Sequence, residues 1–366
     1  MIPMNAFLRE PEELILAQTV AVERVIRSGW WILGNEVKAF ESEWSKWSGC
    51  EHTVGVGNGM DALEIGLRAL GVGAGDEVIT TPITAFATVL AILRVGAIPV
   101  LADVDPDSAI LSVSSAEQCI GSRTKAIIVV HLYGQSAPLT DFEILCQKHG
   151  IFLVEDCAQA HGAFWKGRPV GTVGICAGWS FYPTKNLGTV GDGGALTTQS
   201  SVIAEKAAQL RNYGQSVRYY HPQIGLNSRL DELHAAILRE RLKWLDIWTS
   251  RRRKIAQGYI AGISNPLVRP LPLPKDPASH VHHLFVVTSS CRDALIEHLK
   301  RCQIETLIHY PIPVHHQVPC INVRRDPHGL GNAERHAQEC LSLPCNPFLT
   351  DSETLQVTEA VNSFRS

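Results

Sequence analysis

The sequence predicts an α/β protein, with a large domain on a mostly parallel central sheet and a smaller C-terminal α/β domain. Short apolar runs recur, ending at Val56, Thr80, Asp103, His131 and Asp156; the first four are followed by turn residues and then by helix signals, the last by a loop. Strand and helix alternating in this way cover both faces of a parallel sheet. A Pro-rich link from Pro266 to Pro277 separates this pattern from a shorter one. We expect a large domain over 1–250, N-terminal helices included, and a small one over 251–366.

Composition agrees. A chain of 366 residues with 45% hydrophobic content suits one large core and a lesser one. A formal charge of −3 leaves no electrostatic footprint for nucleic acid or an anionic membrane. The opening MIPMNAFLREPEEL has acids and a proline where a signal peptide needs an apolar core, and no stretch approaches the ~18 apolar residues of a membrane span. The expectation is a soluble, cytoplasmic protein. Ten cysteines without a Cys-x-x-Cys pair read as reduced, mostly buried thiols.

In chain order, residues 1–50 read as a helix from Pro11 to Ser28, a turn holding Trp30 and Trp31, and a helix from Glu36 to Trp47. Next comes a strand ending at Val56 and a helix starting near Met60, with Gly57, Asn58 and Gly59 between. Unpaired N–H groups at such a helix start make an anion site, and phosphate is its natural guest. Gly57, Gly59 and Ala62 also match the dinucleotide pattern G-x-G-x-x-A, which makes a nicotinamide enzyme a rival. That pattern wants an acid closing the next strand. Asp76 and Glu77 instead precede the strand Val78 to Thr80, which argues against the rival. Phe86 falls just before a helix, and Val100 to Asp103 and Ala126 to His131 are further strands.

The chemistry concentrates after these. The run Ile151 to Val154 ends in Glu155 and Asp156 and reads as a buried parallel strand with acids at its carboxyl end, where ligands bind in open α/β sheets. Trp179 to Tyr182 end another strand; Pro183 stops its ladder and Lys185 enters a turn. Gly188, Gly191, Gly193 and Gly194 then let another group approach the backbone. A lysine and a carboxylate delivered to one crevice by two strand ends suit pyridoxal 5′-phosphate. The amine attaches to the aldehyde, and the carboxylate keeps the ring nitrogen protonated so that the ring accepts electrons.

Beyond the lysine, Asn227 reads as part of a helix N-cap region, with Leu230, Leu233, Ile237, Leu238 and Leu242 on one apolar face. Arg229 can pair with Asp231. The small domain alternates a strand (Leu284 to Thr288), a helix (Arg292 to Lys300), a strand (Glu305 to Ile308) and a closing helix. His280, His282, His283, His309, His315 and His316 lack the H-E-x-x-H spacing and a neighbouring acid, and strand alternation separates neighbours, so no metal is expected.

The chain resembles the DegT/DnrJ/EryC1/StrS family of pyridoxal-phosphate-dependent nucleotide-sugar aminotransferases, a branch of the aspartate-aminotransferase fold (fold type I). The likeness rests on SGWWILGNEV, GNGMDAL, EDCAQAHGA, SFYPTKNLGTVGDGGAL, RNYG, GLNSRLDELHAAIL and IHYPIPVHHQ, in order and almost end to end. It implies catalytic roles for Lys185 and Asp156. It implies that the backbone at Gly59, Met60 and Asp61, with Ser180, holds the cofactor phosphate, that Phe86 stacks on the pyridine ring, and that Gln159 approaches the ring hydroxyl or phosphate. Asn227 would reach the phosphate of a neighbouring subunit, giving a homodimer with shared active sites. Trp31, His161, Tyr182, Arg229, His309 and Tyr310 become candidates for substrate contact, His161 having also a purely structural reading as a hydrogen-bonded brace of its loop. Two departures stand out: Ser228 replaces a common tyrosine, and His234 the usual glutamine.

The resemblance also implies the reaction. Lys185, freed by an amino donor such as L-glutamate, moves a proton from the donor's α-carbon, and the amino group passes to a keto sugar. Some relatives carry histidine in place of this lysine and act as dehydratases; lysine favours transamination. The IHYPIPVHHQ loop points to a dTDP-3-keto-6-deoxyhexose as acceptor. The alternatives are amination at the 4-keto position and a catalytically silent cofactor-binding regulator.

Overall fold

The computed structural model describes residues 1–365. Its helices are α1 (Glu12–Ser28), α2 (Asn35–Ser48), α3 (Gly59–Ala69), α4 (Phe86–Arg94), α5 (Val113–Gln118), α6 (Leu139–His149), α7 (Ser201–Leu210), α8 (Glu232–Leu242), α9 (Leu245–Gly262), α10 (Arg292–Arg301), α11 (Gly331–Glu339) and α12 (Asp351–Ser363). The main sheet is built from β1 (His52–Val56), β2 (Glu77–Thr80), β3 (Ile98–Leu101), β4 (Thr124–Val130) and β5 (Phe152–Asp156), and, after a small hairpin of β6 (Phe164–Trp165) and β7 (Arg168–Pro169), from β8 (Cys176–Ser180) and β9 (Gly194–Thr198).

The seven strands lie in the order β1-β9-β8-β5-β4-β2-β3. From β8 to β3 every pairing is parallel; only β9 runs against its two neighbours. Side chains alternate between two buried layers. On β4, Ile127 and Val129 enter one core while Ala126 and Ile128 enter the other. Burial on both faces is why these strands are continuous apolar runs rather than alternating ones.

A three-stranded sheet, β10 (Arg269–Pro270), β11 (Phe285–Thr288) and β12 (Cys340–Leu343), forms the second unit, antiparallel throughout. The residue 250/251 division falls within α9, whose Ile255, Ala256 and Tyr259 join the core of this second sheet. The N-terminal segment belongs to the same core. Ile2 bridges Ile304, the Met4 N–H donates to Glu305 at 2.7 Å, and Asn346 Nδ2 donates to the Pro3 carbonyl at 3.1 Å.

Two expected elements differ. The segment Glu305 to Ile308 is not a strand: only Leu307 bridges, to Ser342 on the outer edge of β12, while the Glu305 N–H donates to the Ile2 carbonyl instead. The helix after Asn227 begins only at Glu232, with Asp231 in the N-cap position, so Asn227 and Leu230 precede it. From the first turn of α8 the Glu232 carboxylate caps the start of α2, accepting from the N–H groups of Gly34, Glu36 and Val37 at 2.8, 2.8 and 3.0 Å.

Candidate active site

Neighbouring strands β5 and β8 bring the central pair together at their carboxyl ends. Asp156 closes β5 and is 6% exposed; its Oδ2 accepts from Thr88 Oγ1 at 2.7 Å and its Oδ1 from the Ala158 N–H at 3.1 Å. Thr88 Oγ1 lies 2.8 Å from Thr84 Oγ1, so a hydroxyl chain from α4 orients the carboxylate. Lys185 sits in the turn after β8, its N–H donating to the Tyr182 carbonyl at 2.9 Å. Loss of hydration lowers its pKa to about 8, while the charge of Asp156 pulls it up. A half-buried amine poised near neutrality beside a fixed carboxylate can serve as nucleophile and as base.

The β1 to α3 turn meets the end of β8. A Cβ on Gly59 would lie 2.7 Å from the Ser180 Cβ, so only glycine permits this approach. Gly59 and Met60 stand in the first turn of α3, where N–H groups have no helical acceptor. Asp61 corrects the expectation: its N–H donates to Asn58 Oδ1 at 2.8 Å, the helix cap, and is not free for a phosphate.

His161 and Gln159 also depart from expectation. The His161 ring is fully buried against Trp44, Trp179 and Phe181, with centroids 5.7, 5.5 and 5.7 Å away, and neither ring nitrogen has a partner. It is therefore no hydrogen-bonded brace. Burial, then the charge of Lys185, pushes its pKa to about 3 and keeps it neutral. Gln159 is already engaged, accepting from the Tyr133 N–H at 2.6 Å and donating to Tyr310 Oη at 3.1 Å. It ties the β4 loop to the IHYPIPVHHQ loop. Tyr310, its phenol raised to about 12 by burial, lines a cavity of about 160 Å³ with Phe86. His309 donates or accepts at Ser342 Oγ, 2.8 Å away, and is held neutral at about 4 by burial and Lys185.

The remaining candidates lie on the surface. Tyr182 and Trp31 are 51% and 48% exposed. Asn227 is exposed and bridges Asn212, while its neighbour Ser228 accepts from the Gly57 N–H at 2.9 Å. Arg229 does not pair with Asp231; it donates to Asn212 at 3.1 Å and lies over the Tyr213 ring. Sequence reasoning missed Thr88 as the partner of Asp156, although it lies two residues beyond Phe86. It also missed an acid beside the histidines. Glu334 approaches His315 and His316 at 3.1 and 3.8 Å, because these neighbours share a 3₁₀ turn rather than a strand. A larger cavity, about 860 Å³, opens over Trp47 and Trp179 and contains none of the central residues.

These features fit pyridoxal phosphate: an unpaired amine, a carboxylate held toward it, a glycine-walled cradle at a helix start and a buried imidazole with unused nitrogens. Fold and site define a pyridoxal-phosphate enzyme of fold type I. The family model for the DegT/DnrJ/EryC1/StrS aminotransferase family matches residues 14–362, and the chain belongs to that family. It is 43% identical over 354 residues to the dTDP-3-amino-3,4,6-trideoxy-alpha-D-glucose transaminase of Streptomyces venezuelae, covering 96% of this chain and 93% of the relative. It is 45% identical over 344 residues to the dTDP-3-amino-3,6-dideoxy-alpha-D-galactopyranose transaminase of Aneurinibacillus thermoaerophilus, covering 94% of each. The crystal structure of S. venezuelae DesV with a ketimine intermediate superposes with a TM-score of 0.94 at 42% identity, covering 99% of this chain and 97% of that one. The protein is a transaminase, and its cofactor is pyridoxal phosphate.

Proposed function

We propose that this enzyme transfers the amino group of L-glutamate to the 3-keto group of a dTDP-linked 6-deoxyhexose. Two relatives that make 3-amino dTDP-sugars, at 43% and 45% identity, support the acceptor. The observation that carries the chemistry is the Lys185 amine, lowered to about 8, beside an Asp156 carboxylate fixed by Thr88. The cofactor, when bound, supplies an electron sink. Asp156 holds the proton on the ring nitrogen. Lys185 Nζ takes the proton from the donor's α-carbon and later returns one at the carbon that becomes the amino-sugar carbon. Gly59 and Met60 N–H groups with Ser180 would hold the phosphate, and Phe86 and Tyr310 line a cavity beside the site.

We place the enzyme in the cytoplasm as a homodimer. Ten free cysteines support a reducing compartment, and no helix of the described residues is long and apolar enough to cross a membrane. Exposed Trp30, Trp31, Tyr219 and Tyr220 support a partner surface, with Asn227 reaching the neighbouring site.

The test is spectroscopic and chemical. The wild type should show the absorbance of a protonated imine, lose it on adding L-glutamate, and aminate a dTDP-3-keto-6-deoxysugar. Lys185→Ala should show no imine band and lose activity by at least ~10²-fold. Amination of the 4-keto isomer alone would overturn the regiochemistry, and an imine band that glutamate leaves unchanged would favour a silent regulator.

A further inference from the structure

Three side chains of metal-ligating type meet where α11 passes the end of the IHYPIPVHHQ loop. His315 and His316 share a 3₁₀ turn, Val314–His316, and Glu334 stands in the first turn of α11. Glu334 Oε1 lies 3.1 Å from His315 Nε2 and 3.8 Å from His316 Nε2, and the three donor atoms all lie within 4.8 Å of one another. Consecutive residues of a strand would point apart; this turn sets the two rings with centroids 4.2 Å apart. The expectation of no metal rested on strand alternation and on the lack of an acid, and neither holds here.

A hydrogen bond explains only part of the arrangement. It accounts for His315 and Glu334 but not for His316, whose nitrogen faces the same oxygen from beyond hydrogen-bond reach. His315 is 1% exposed and its Nδ1 has no partner, so Glu334 is the only hydrogen-bond partner of its ring among the described residues. A metal accounts for all three. Ligands placed tetrahedrally at about 2.0–2.1 Å from zinc are themselves about 3.3–3.4 Å apart, and two imidazoles with one carboxylate form a set that zinc accepts, water completing the four. Two nitrogens disfavour calcium and magnesium, which take oxygen.

Both ligand-bearing elements are held without the ion. The turn follows Pro313, with the Val314 N–H donating to the Pro82 carbonyl at 2.9 Å and the His316 N–H to the Pro313 carbonyl at 3.0 Å. The start of α11 is fixed by Asp103, whose carboxylate accepts from the N–H groups of Asn332 and Ala333 at 3.1 and 2.9 Å. An ion has little left to order beyond the side chains of His316 and Glu334, which are 53% and 44% exposed.

We propose that His315, His316 and Glu334 bind a zinc ion, with water in the fourth position. The site is separate from the Lys185 chemistry, and its consequence is mechanical. Tyr310 and Gln317, on the same loop, line a cavity with Phe86, so the ion pins α11 to the segment that borders the active site. Arg325 adds a positive charge that acts on His315, its guanidinium donating to the Ile321 carbonyl at 3.3 Å. With three protein ligands and that opposing charge, the affinity is that of an exchangeable site, micromolar rather than tighter.

The experiment uses untagged, cofactor-loaded enzyme stripped of metal, with cobalt(II) and zinc as probes. Cobalt(II) should bind once per chain and give the intense visible bands of a four-coordinate ion, to the red of the cofactor, and zinc should bleach them by displacement. Calorimetry should give one zinc per chain. His316→Ala and Glu334→Gln should each remove the bands and weaken zinc by more than roughly 100-fold, the upper cost of losing a mere outer-shell partner. Cys302→Ser, which removes the exposed thiol beside His298, should change neither. Zinc should raise the thermal midpoint of the wild type but not of Glu334→Gln. A six-coordinate cobalt spectrum, zinc binding that survives both substitutions, or binding abolished by Cys302→Ser instead would overturn the site.

Discussion

Glu155 and Asp156 are consecutive on β5 and serve opposite faces of the sheet. Asp156 takes the hydroxyl of Thr88 at 2.7 Å on the side of Lys185. Glu155, fully buried, accepts from the N–H groups of Gly171, Val173 and Gly174 at 2.7, 2.9 and 2.6 Å and lies 2.9 Å from His131 Nε2. Burial alone would raise the Glu155 pKa, but the bond to His131 and those from the backbone hold it below the usual carboxylate range. One period of strand alternation separates a chemical carboxylate from a structural one.

Substitution should divide the two roles. Glu155→Ala leaves three backbone donors without an acceptor, each costing about 1–3 kcal/mol, and should lower the urea midpoint sharply. Asp156→Asn, which keeps an acceptor for the Ala158 N–H, should unfold near the wild-type midpoint yet shift the cofactor absorbance and lose the activity. Equal loss of stability in both variants would refute the division.

Thr88→Val removes one hydrogen bond to a charged carboxylate, worth about 1.5–3 kcal/mol. If that bond aims Asp156, kcat should fall roughly 10-fold to 100-fold while donor half-saturation moves little. A spectral pH titration of the bound cofactor should shift in the same variant.

Acid should destabilise the fold through buried neutral histidines. His161 and His282 are lowered to about 3 and His336 to about 4, burial being the first cause of each. Unfolded, each would take up a proton near its ordinary pKa of about 6.5. Between those values the unfolded state binds more protons, so stability is intact above about pH 6.5 and falls as pH drops, by about 1.4 kcal/mol per pH unit for each group. Denaturation at pH 5 should release less proton uptake, by about one, in His161→Phe than in wild type.

Complementation tests the shared site. Lys185→Ala and Asn227→Ala are each expected to be defective. Mixed and reassembled in equal amounts, they should recover about a quarter of the wild-type sites if Asn227 serves the neighbouring subunit, because each hybrid holds one intact pairing. The Ser228 contact to Gly57 of the same chain sets up the contrary outcome: no recovery means that Asn227 acts within its own subunit.

Much of this was legible in the residues. Lys185 and Asp156 stood out because strand ends, Pro183 and a run of glycines are local signals, and the parallel strands and most helices were legible too, though α7, α9 and α11 were not read. What escaped depends on distant partners. The Tyr133 N–H takes up the oxygen of Gln159, Asn58 takes up the N–H of Asp61, and Glu334 reaches His315 from another helix. The expected strand at Glu305 shrinks to one bridge, from Leu307 to Ser342 on the outer edge of β12, a partner distant in sequence.

The interleaving of Ile2 and Met4 with Ile304 and Glu305, and of Pro3 with Asn346, closes the chain on itself like a clasp. Residues 2–5 cannot find these places until the segment from Ile304 to Asn346 has been made. The wall of the lysine pocket that Asn5 shares with Asn346 is therefore assembled late, and a chain that stops short of that segment carries Lys185 without the enclosure around it.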